Sequence, residues 1–277
     1  MSTVRLPSGE QVAALGQGTW YMGEDPHARK VEIAALQAGL DLGLSLIDTA
    51  EMYAEGGAEE VVGEALAGRR AQAFLVSKVY PHNASREGVV AACERSLKRL
   101  RTDRIDLYLL HWRGEHPLAE TVAGFEALQA AGKIRHWGVS NLDLADMKAL
   151  WRVSGGTGCA ANQLLYNLGR RGIEWDLHPW LREHGVPVMA YSPIEQARLL
   201  RHAGLRAFAD KHGCTVAQAA LAWVLGQDGV IAIPKSANAT HLRENAAARE
   251  LRFTPAQRTE LDALFPPPRR ATPLEML

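Results

Sequence analysis

Short apolar runs alternate with longer amphipathic segments along almost the whole chain, and this alternation constrains the fold more than any other feature. Each run has the length of a buried strand, and the segments between them place apolar residues at the spacing of a helix face. Strands that alternate with helices indicate a parallel sheet, and eight such units predict that the sheet closes into a barrel. The predicted strands are residues 16–20, 44–48, 74–78, 105–111, 137–140, 160–163, 187–191 and 230–234.

Helix signals occupy most of the gaps between these strands. Ser85 is a candidate N-cap, and Pro117 opens a segment that Gly132 ends. The predicted helices are residues 26–42, 85–100, 117–131, 174–184, 215–226, 241–248 and 254–264.

A small β-hairpin is predicted ahead of the first unit, because residues 4–6 and 11–15 flank a turn with proline and glycine. The length of 277 residues is ordinary for one α/β barrel. We therefore expect an α/β fold, a single (β/α)8 TIM barrel with an N-terminal β-hairpin, in one domain over residues 1–277.

Charge and cysteine content argue against several classes of function. The 31 Lys and Arg residues balance 31 Asp and Glu residues, so neither nucleic acid nor an anionic membrane is favoured as the main partner. Cys93, Cys159 and Cys214 form no CxxC pair, and no signal peptide is evident, which is typical of a reduced, cytoplasmic protein. No apolar run approaches the ~20 residues that span a bilayer. No His or Cys spacing matches a metal site, so we expect neither a metal nor an obligate protein partner.

Polar and aromatic residues follow the predicted strands at one end. In a barrel of this kind, functional residues lie at the C-terminal ends of the strands. Strands often end in polar residues for no functional reason, but eight such endings together favour a site at this rim. The endings are Trp20, Asp48, Lys78, His111, Ser140 with Asn141, Gln163, Tyr191 and Lys235.

Tyr53 and three of these endings have the chemistry of a carbonyl-protonating site. A nearby ammonium favours the phenolate, so Lys78 is expected to lower the Tyr53 pKa from its reference of about 10. Asp48 would keep Lys78 charged, and His111 would orient a carbonyl oxygen. Alone, each residue has a plainer interpretation: a packed tyrosine, a surface lysine, a turn aspartate or a structural histidine. Together they suit protonation of a carbonyl oxygen while a hydride reaches its carbon.

The strings that contain these residues resemble the aldo-keto reductase family over nearly the whole chain. Three further strings most resemble bacterial members grouped with methylglyoxal reductases: Gly16-Gln-Gly-Thr-Trp-Tyr-Met-Gly23, Ala50-Glu-Met-Tyr53 and Val188-Met-Ala-Tyr-Ser-Pro193. The resemblance implies NADPH-dependent reduction of aldehydes and ketones, with Tyr53 as the general acid. The strings are Leu46-Ile-Asp-Thr-Ala-Glu-Met-Tyr53, Val76-Ser-Lys78, Asp106-Leu-Tyr-Leu-Leu-His111, Gly132-Lys-Ile-Arg-His-Trp-Gly-Val-Ser-Asn141, Tyr191-Ser-Pro193 and Ile233-Pro-Lys-Ser236.

The resemblance further implies NADPH across the barrel rim, without the GxGxxG fingerprint of a Rossmann domain. Ser140, Asn141 and Gln163 suit the nicotinamide carboxamide, Tyr191 can stack on its ring, and Lys235 with Ser236 would meet the 2′-phosphate. The full expected cofactor set is Gly18, Thr19, Trp20, Asp48, Ser140, Asn141, Gln163, Tyr191, Ser192, Pro193, Ile194, Gln196, Lys235, Ser236, Asn238, His241, Glu244 and Asn245.

Two positions depart from the family pattern. His241 stands where many relatives carry an arginine that clamps the phosphate. We therefore expect a weaker preference for NADPH that depends on pH, with NADH tolerated. Glu195 places a negative charge in the segment expected to cover the pyrophosphate, and we expect it to face solvent or to join a gate over the cofactor.

The expected substrates are small 2-oxoaldehydes such as methylglyoxal and aromatic aldehydes. The short segment 266–277 predicts an open pocket, because longer C-terminal loops narrow the pocket in this family. Two other functions remain open: a Schiff-base lyase with Lys78 as nucleophile, and a non-catalytic cofactor-binding regulator. The expected substrate-binding residues are Trp20, Tyr21, Tyr80, His111 and Trp112, with Met22 as a further candidate for the pocket mouth.

Overall fold

The structure is a computed structural model and describes residues 2–277. It opens with the predicted hairpin, formed by strands β1 (Thr3–Arg5) and β2 (Gln11–Ala13) in antiparallel register. Leu6 and Val12 are buried against the inner face of the barrel. The hairpin therefore seals the end of the barrel opposite the C-terminal ends of its strands.

Eight parallel strands follow and form one closed sheet. Consecutive strands along the chain are neighbours throughout, which confirms the predicted (β/α)8 barrel. The strands are β3 (Gln17–Gly18), β4 (Leu46–Asp48), β5 (Phe74–Val79), β6 (Ile105–Leu110), β7 (Ile134–Ser140), β8 (Asn162–Leu165), β9 (Val188–Tyr191) and β10 (Val230–Ala232).

The seam between the first and last strands is short and tight. Two parallel bridges close it, Leu15 to Ala232 and Gly18 to Lys235. A Cβ on Gly18 would lie 2.9 Å from the backbone oxygen of Ile233, so only glycine allows this approach. Because Gly18 has no side chain, its backbone can approach the chain that follows strand β10, at the rim where the loop after Lys235 begins.

Helices pack around the outside of the barrel. The boundaries of the predicted helices differ at their ends: α6 begins after a separate 3₁₀ turn at Gly172–Glu174, and α9 begins earlier than predicted because Asn238 caps it. The helices are α1 (Arg29–Asp41), α2 (Gly57–Ala65), α3 (Arg86–Leu100), α4 (Leu118–Ala130), α5 (Leu144–Trp151), α6 (Leu177–Glu183), α7 (Ala203–Lys211), α8 (Val216–Leu225), α9 (Ala239–Ala247) and α10 (Pro255–Leu264).

Three of these helices, α2, α5 and α7, are absent from the sequence prediction. In α2 six of the nine residues are buried and one of these is the charged Glu59, so the buried face does not form an apolar pattern in the sequence. Helix α5 has only eight residues. Helix α7 is capped by the ring of His202, which is not among the side chains that usually mark a helix start.

Two apolar clusters hold the barrel together. The inner cluster fills the barrel, where buried residues such as Leu46, Leu107 and Ile231 each stabilise the fold by about 1.5–3 kcal/mol. The outer cluster lies between strands and helices and includes Tyr108 and Phe125. Packing on both faces of the sheet fixes the strand ends, and with them the rim.

Candidate active site

Lys78 lies at the centre of a buried polar cluster at the rim. Asp48 pairs with Val76 across neighbouring strands, and Lys78, two residues beyond Val76, points to the same inner face. The Lys78 Nζ donates to Asp48 Oδ2 at 2.8 Å, to the Thr49 carbonyl oxygen at 2.9 Å and to the Tyr53 hydroxyl oxygen at 3.0 Å. The structure therefore brings Asp48, Tyr53 and Lys78 together as the sequence predicts.

The pKa of Tyr53 differs from the sequence expectation in sign. Burial raises the pKa of Tyr53 above its ordinary value, and the nearby Lys78 ammonium offsets only part of this rise. Asp48 adds to the rise, because its carboxylate disfavours a second negative charge close by. Lys78 therefore acts in the expected direction, but burial outweighs it, and Tyr53 holds its proton throughout the neutral range.

Lys78 is charged although its side chain has no exposed surface. Burial alone would lower the pKa of Lys78, but Asp48 and Tyr53 raise it above its ordinary value. The second carboxylate oxygen of Asp48 accepts a hydrogen bond from Gln163 Nε2 at 2.7 Å. The ion pair is thus hydrogen-bonded on both sides, which is the condition under which a buried pair is tolerated.

His111 follows strand β6 directly and faces Tyr53. Its backbone N–H donates to the Val79 carbonyl oxygen at 3.0 Å, and the two ring centroids lie 5.8 Å apart in an edge-on arrangement. Burial and the charge of Lys78 hold the pKa of His111 well below its usual range. Its Nδ1 is buried and has no hydrogen-bond partner among residues 2–277. The ring is therefore neutral and carries one N–H.

A cavity of about 510 Å³ opens at the rim above these residues. Asp48, Tyr53 and His111 line it, whereas Lys78 lies behind Tyr53 and does not reach it. Many of the other predicted site residues line the same cavity. They are Gly18, Thr19, Trp20, Tyr21, Trp112, Ser140, Asn141, Gln163, Tyr191, Ser192, Pro193, Ile194, Gln196 and Lys235.

The side chain of Asn141 connects several cavity residues. The backbone of Asn141 is in the left-handed region, with φ of 56°. Its amide donates to the His111 carbonyl oxygen at 3.2 Å and to Ser140 Oγ at 3.1 Å, and its Oδ1 accepts from the Tyr191 hydroxyl at 3.0 Å. Asn141 thus fixes the side chain of Tyr191 and the backbone that carries His111.

This geometry is accompanied by a family match over most of the chain. Residues 14–265 match the model of the aldo/keto reductase family. The chain belongs to the aldo/keto reductase family. This confirms the family and the class of enzyme predicted from the sequence.

Similar proteins support this assignment to the aldo/keto reductases. Methylglyoxal reductase YeaE of Escherichia coli K12 is 56% identical, over 99% of this chain and 98% of its own length. Glyoxal reductase of Bacillus subtilis strain 168 is 32% identical, over 95% of this chain and 92% of its own length. The crystal structure of an aldo/keto reductase from Klebsiella pneumoniae in complex with NADP and acetate has a TM-score of 0.97 and 54% identity, and covers 100% of this chain and 99% of that one.

Several predicted residues of this aldo/keto reductase lie outside the cavity. Tyr80 packs its ring edge-on to Trp112, with centroids 5.9 Å apart. Met22 is buried in the outer cluster at 1% exposure, so its expected place at the pocket mouth is wrong. The cofactor candidates at and after the start of α9 also lie outside the cavity, next along the chain from Lys235. They are Ser236, Asn238, His241, Glu244 and Asn245.

The cavity also has lining residues that the sequence analysis missed. Met52 precedes Tyr53, and Ile233 and Pro234 precede Lys235, so position next to a predicted residue is the signal that could have found them. Met276 and Leu277 give no such signal. Their presence is contrary to the expectation that the short segment 266–277 leaves the pocket open. The missed residues are Met52, Ala197, Ile233, Pro234, Met276 and Leu277.

Glu195 is buried and does not face solvent, which corrects one of the two expectations for it. Its carboxylate accepts hydrogen bonds from Asn167 Nδ2 at 2.7 Å and from Arg170 Nε at 2.9 Å. Its side chain is 8% exposed. The charge is therefore directed at a turn after strand β8, away from the cavity.

Residues 2–277 contain neither a cluster of metal-binding side chains nor a helix suited to a membrane. No three His, Cys, Asp or Glu side chains within that range converge as metal ligands. No helix in the described part of the chain has both the length and the apolar character needed to cross a membrane.

Proposed function

We propose that this aldo/keto reductase uses NADPH to reduce small 2-oxoaldehydes such as methylglyoxal, and aromatic aldehydes, to alcohols. The observation that carries the proposal is the Tyr53 hydroxyl, 3.0 Å from a buried, charged Lys78 and at the wall of a cavity. The relatives named methylglyoxal reductase and glyoxal reductase support the 2-oxoaldehyde class. Trp20, Tyr21 and Trp112 in the cavity wall suit aromatic substrates.

The cavity suits a nicotinamide cofactor. Ser140, Asn141 and Gln163 offer hydroxyl and amide groups for the carboxamide, and Tyr191 offers a ring face beside them. Lys235, which is exposed at the end of the seam, would meet the 2′-phosphate of NADPH together with Ser236. The Klebsiella relative in complex with NADP supports this choice of cofactor. Bound NADPH supplies the hydride that reduces the carbonyl carbon.

The chain's own residues supply the proton and orient the carbonyl. Tyr53 holds its proton at neutral pH and donates it to the carbonyl oxygen as negative charge develops there. The Lys78 ammonium, 3.0 Å away, stabilises the phenolate that remains. Asp48 and Thr49 keep that ammonium in place, and the neutral ring of His111 donates its N–H to the same carbonyl oxygen.

The geometry of Lys78 argues against Schiff-base chemistry. A nucleophilic lysine must be neutral and must reach the substrate. Here Lys78 is charged, all three of its N–H groups have acceptors, and Tyr53 separates it from the cavity. We therefore assign Lys78 an electrostatic role.

The proposal is tested by NADPH binding and turnover in wild type and Tyr53→Phe. Quenching of tryptophan fluorescence measures binding, and oxidation of NADPH at 340 nm with methylglyoxal and 4-nitrobenzaldehyde measures turnover. We expect Tyr53→Phe to keep NADPH binding and to lose about 10²–10⁴-fold in kcat. Tyr108→Phe is the matched control, because Tyr108 packs on Phe125 in the outer cluster, away from the cavity.

Each other outcome identifies an error in the proposal. Equal turnover in wild type and Tyr53→Phe would exclude Tyr53 as the acid. Tight NADPH binding without turnover of either aldehyde would favour the regulator. Two further statements remain predictions: that residues 1–277 act as one domain, and that the protein works in the cytoplasm.

A further inference from the structure

The segment that follows strand β9 has an unusually strained backbone. Ser192, Glu195, Gln196 and Ala197 have φ values of 48°, 50°, 49° and 67°, all in the left-handed region that favours glycine. Such a conformation persists only where the surroundings hold it. Residues 192–197, here called the covering loop, also form one wall of the cavity.

A turn after strand β8 holds the covering loop. The turn runs from Asn167 to Arg170, and both of its ends contact the loop. Asn167 Nδ2 donates to the Ser192 carbonyl oxygen at 2.9 Å and to Glu195 Oε2 at 2.7 Å. Arg170 Nε donates to the other oxygen, Glu195 Oε1, at 2.9 Å. The turn therefore holds the strained loop at two places, the Ser192 carbonyl oxygen and the buried Glu195 carboxylate, and Arg170 acts at the second.

The same arginine also holds the C-terminal segment. Arg170 donates through a terminal guanidinium nitrogen to Glu275 Oε1. The next two residues, Met276 and Leu277, line the cavity although they are 48% and 46% exposed. Apolar side chains with so much exposed surface gain little from burial. Polar contacts therefore help to place them: the charged contact at Glu275 and a hydrogen bond between the Leu277 backbone and the Tyr191 hydroxyl.

We propose that Arg170 is a positioning residue that couples the covering loop to the segment 275–277 as their common anchor, so that loss of Arg170 releases two walls of the cavity at once. The proposal rests on the proposed function, because it deepens the account of the same site. The planar guanidinium carries donors on separate edges and bonds two carboxylates at once. A lysine ammonium in this position cannot reproduce that geometry.

Arg170 makes two contacts, one with Glu195 and one with Glu275, and loss of each predicts a separate effect. Without Glu275, Arg170 still bonds Glu195, so the covering loop keeps its anchor while Met276 and Leu277 are released. Without Arg170, both walls lose the contact that this residue makes. The covering loop keeps the Asn167 hydrogen bonds to Ser192 and Glu195 and a 3.5 Å approach of Arg198 to Glu195. Wider access to the cavity would then weaken selection for small carbonyl substrates.

The test compares Glu275→Gln, Arg170→Met and Arg170→Lys with wild type. Methyl NMR of Met276, assigned by Met276→Leu, reports the C-terminal segment, because the methyl group lies in a cavity lined by aromatic rings. Hydrogen exchange reports the covering loop. Both are measured without NADPH. Arg182→Met is the matched control, since Arg182 pairs with Asp228 at 2.9 Å and neither residue lines the cavity.

We expect Glu275→Gln to shift the Met276 signal and to leave exchange in the covering loop unchanged. We expect Arg170→Met to shift the signal and also to speed exchange in the loop about fivefold or more. A lysine at position 170 can contact Glu195 or Glu275 but not both. Arg170→Lys should therefore keep the wild-type value of either loop exchange or the Met276 signal, but not of both. If Arg170→Met does not fold, Arg170→Lys with Glu275→Gln decides the question.

Binding and turnover add a functional readout. NADPH should dissociate from Arg170→Met about threefold faster or more than from wild type. It should dissociate from Glu275→Gln at the wild-type rate. In both variants the ratio of kcat/KM for methylglyoxal to kcat/KM for 4-nitrobenzaldehyde should fall about fivefold. The change should arise in the KM values, and kcat should stay at the wild-type value.

Three results would overturn the coupling: Arg170→Met with wild-type exchange in the loop, Arg170→Met with a wild-type Met276 signal, or Glu275→Gln with loop exchange as fast as in Arg170→Met. An unchanged preference between the two aldehydes despite a shifted Met276 signal would overturn the role in selection. If wild type turns over neither aldehyde, the proposed function fails, and the NMR and exchange results still decide the coupling.

Discussion

Gln163 donates a hydrogen bond to Asp48 across the mouth of the barrel, from Nε2 to Oδ1 at 2.7 Å. The two residues lie on strands β8 and β4, which are on opposite sides of the closed sheet. Lys78 occupies the other oxygen of the same carboxylate at 2.8 Å. The amide that we propose for the nicotinamide carboxamide is therefore already bonded to the ion pair behind the general acid.

Gln163→Leu should weaken both the fold and the binding of NADPH. A hydrogen bond to a charged group contributes about 1.5–3 kcal/mol, and its loss leaves Asp48 with fewer partners in a buried place. Urea unfolding and fluorescence titration measure the two effects. Gln129→Leu is the matched control, because exposed Gln129 bonds only the Arg135 carbonyl oxygen at 2.9 Å. Equal effects of the two substitutions would contradict the bridging role.

Lys78→Met should lower the free energy of unfolding and kcat together. The substitution leaves the Asp48 carboxylate buried without its cation, which costs about 3–5 kcal/mol, and it removes the charge that stabilises the Tyr53 phenolate. Urea unfolding and turnover at saturating substrate measure both quantities. Lys211→Met, which removes a surface lysine paired with Glu260, should change neither. A variant with wild-type kcat would show that the ammonium does not act on Tyr53.

His111 should make the protein less stable as the pH falls. Its pKa is lowered by burial and by Lys78, so the unfolded chain binds this proton more readily than the folded protein. The His111 contribution is complete above the unfolded pKa of about 6.5 and is lost as the pH falls from there towards the folded pKa, at up to about 1.4 kcal/mol per pH unit.

Urea unfolding from pH 5 to 8 in wild type and His111→Gln tests this sign. The variant should lose part of the pH dependence, and His178, whose pKa burial also lowers, should retain the rest. His27→Gln, at an exposed position, should keep the wild-type slope. An identical slope in wild type and His111→Gln would contradict a neutral, buried His111.

The preference for NADPH over NADH should increase as the pH falls from 8 to 6. We propose that His241 meets the 2′-phosphate, and a histidine gains positive charge over this range. The KM ratio of the two cofactors in wild type measures the effect. His241→Gln should flatten the dependence, and His241→Arg should strengthen the preference at every pH. A flat wild-type ratio would refute the pH dependence.

The rim residues were predictable because they follow buried strands. Asp48, Lys78 and His111 each lie at or directly after an apolar run, and a closed parallel sheet brings such positions together. The sign of the Tyr53 pKa shift was not predictable, since it depends on the balance between burial and two opposite neighbouring charges. Sequence order gives the neighbours but not the depth of the hydroxyl.

The contacts of Glu195 and Met276 could not be predicted from the sequence pattern. Glu195 finds Asn167 and Arg170 through strand pairing, at a distance of more than twenty residues along the chain. Met276 lines the cavity next to the ion pair of Glu275, in a segment that follows no periodicity of helix or strand. Helix α7 was also missed, because its N-cap is a histidine ring and not one of the side chains that usually mark a helix start.

The seam between strands β3 and β10 has a consequence for how the protein is made. Asp48, Tyr53, Lys78 and His111 all belong to the first half of the chain, whereas the seam closes through Ala232 and Lys235. A chain that emerges from the ribosome therefore carries every proposed catalytic side chain long before the last strand exists. The rim that gathers these side chains is completed only once Ala232 and Lys235 have been made, so a chain released before that point would carry the chemistry without the closed ring that aligns it.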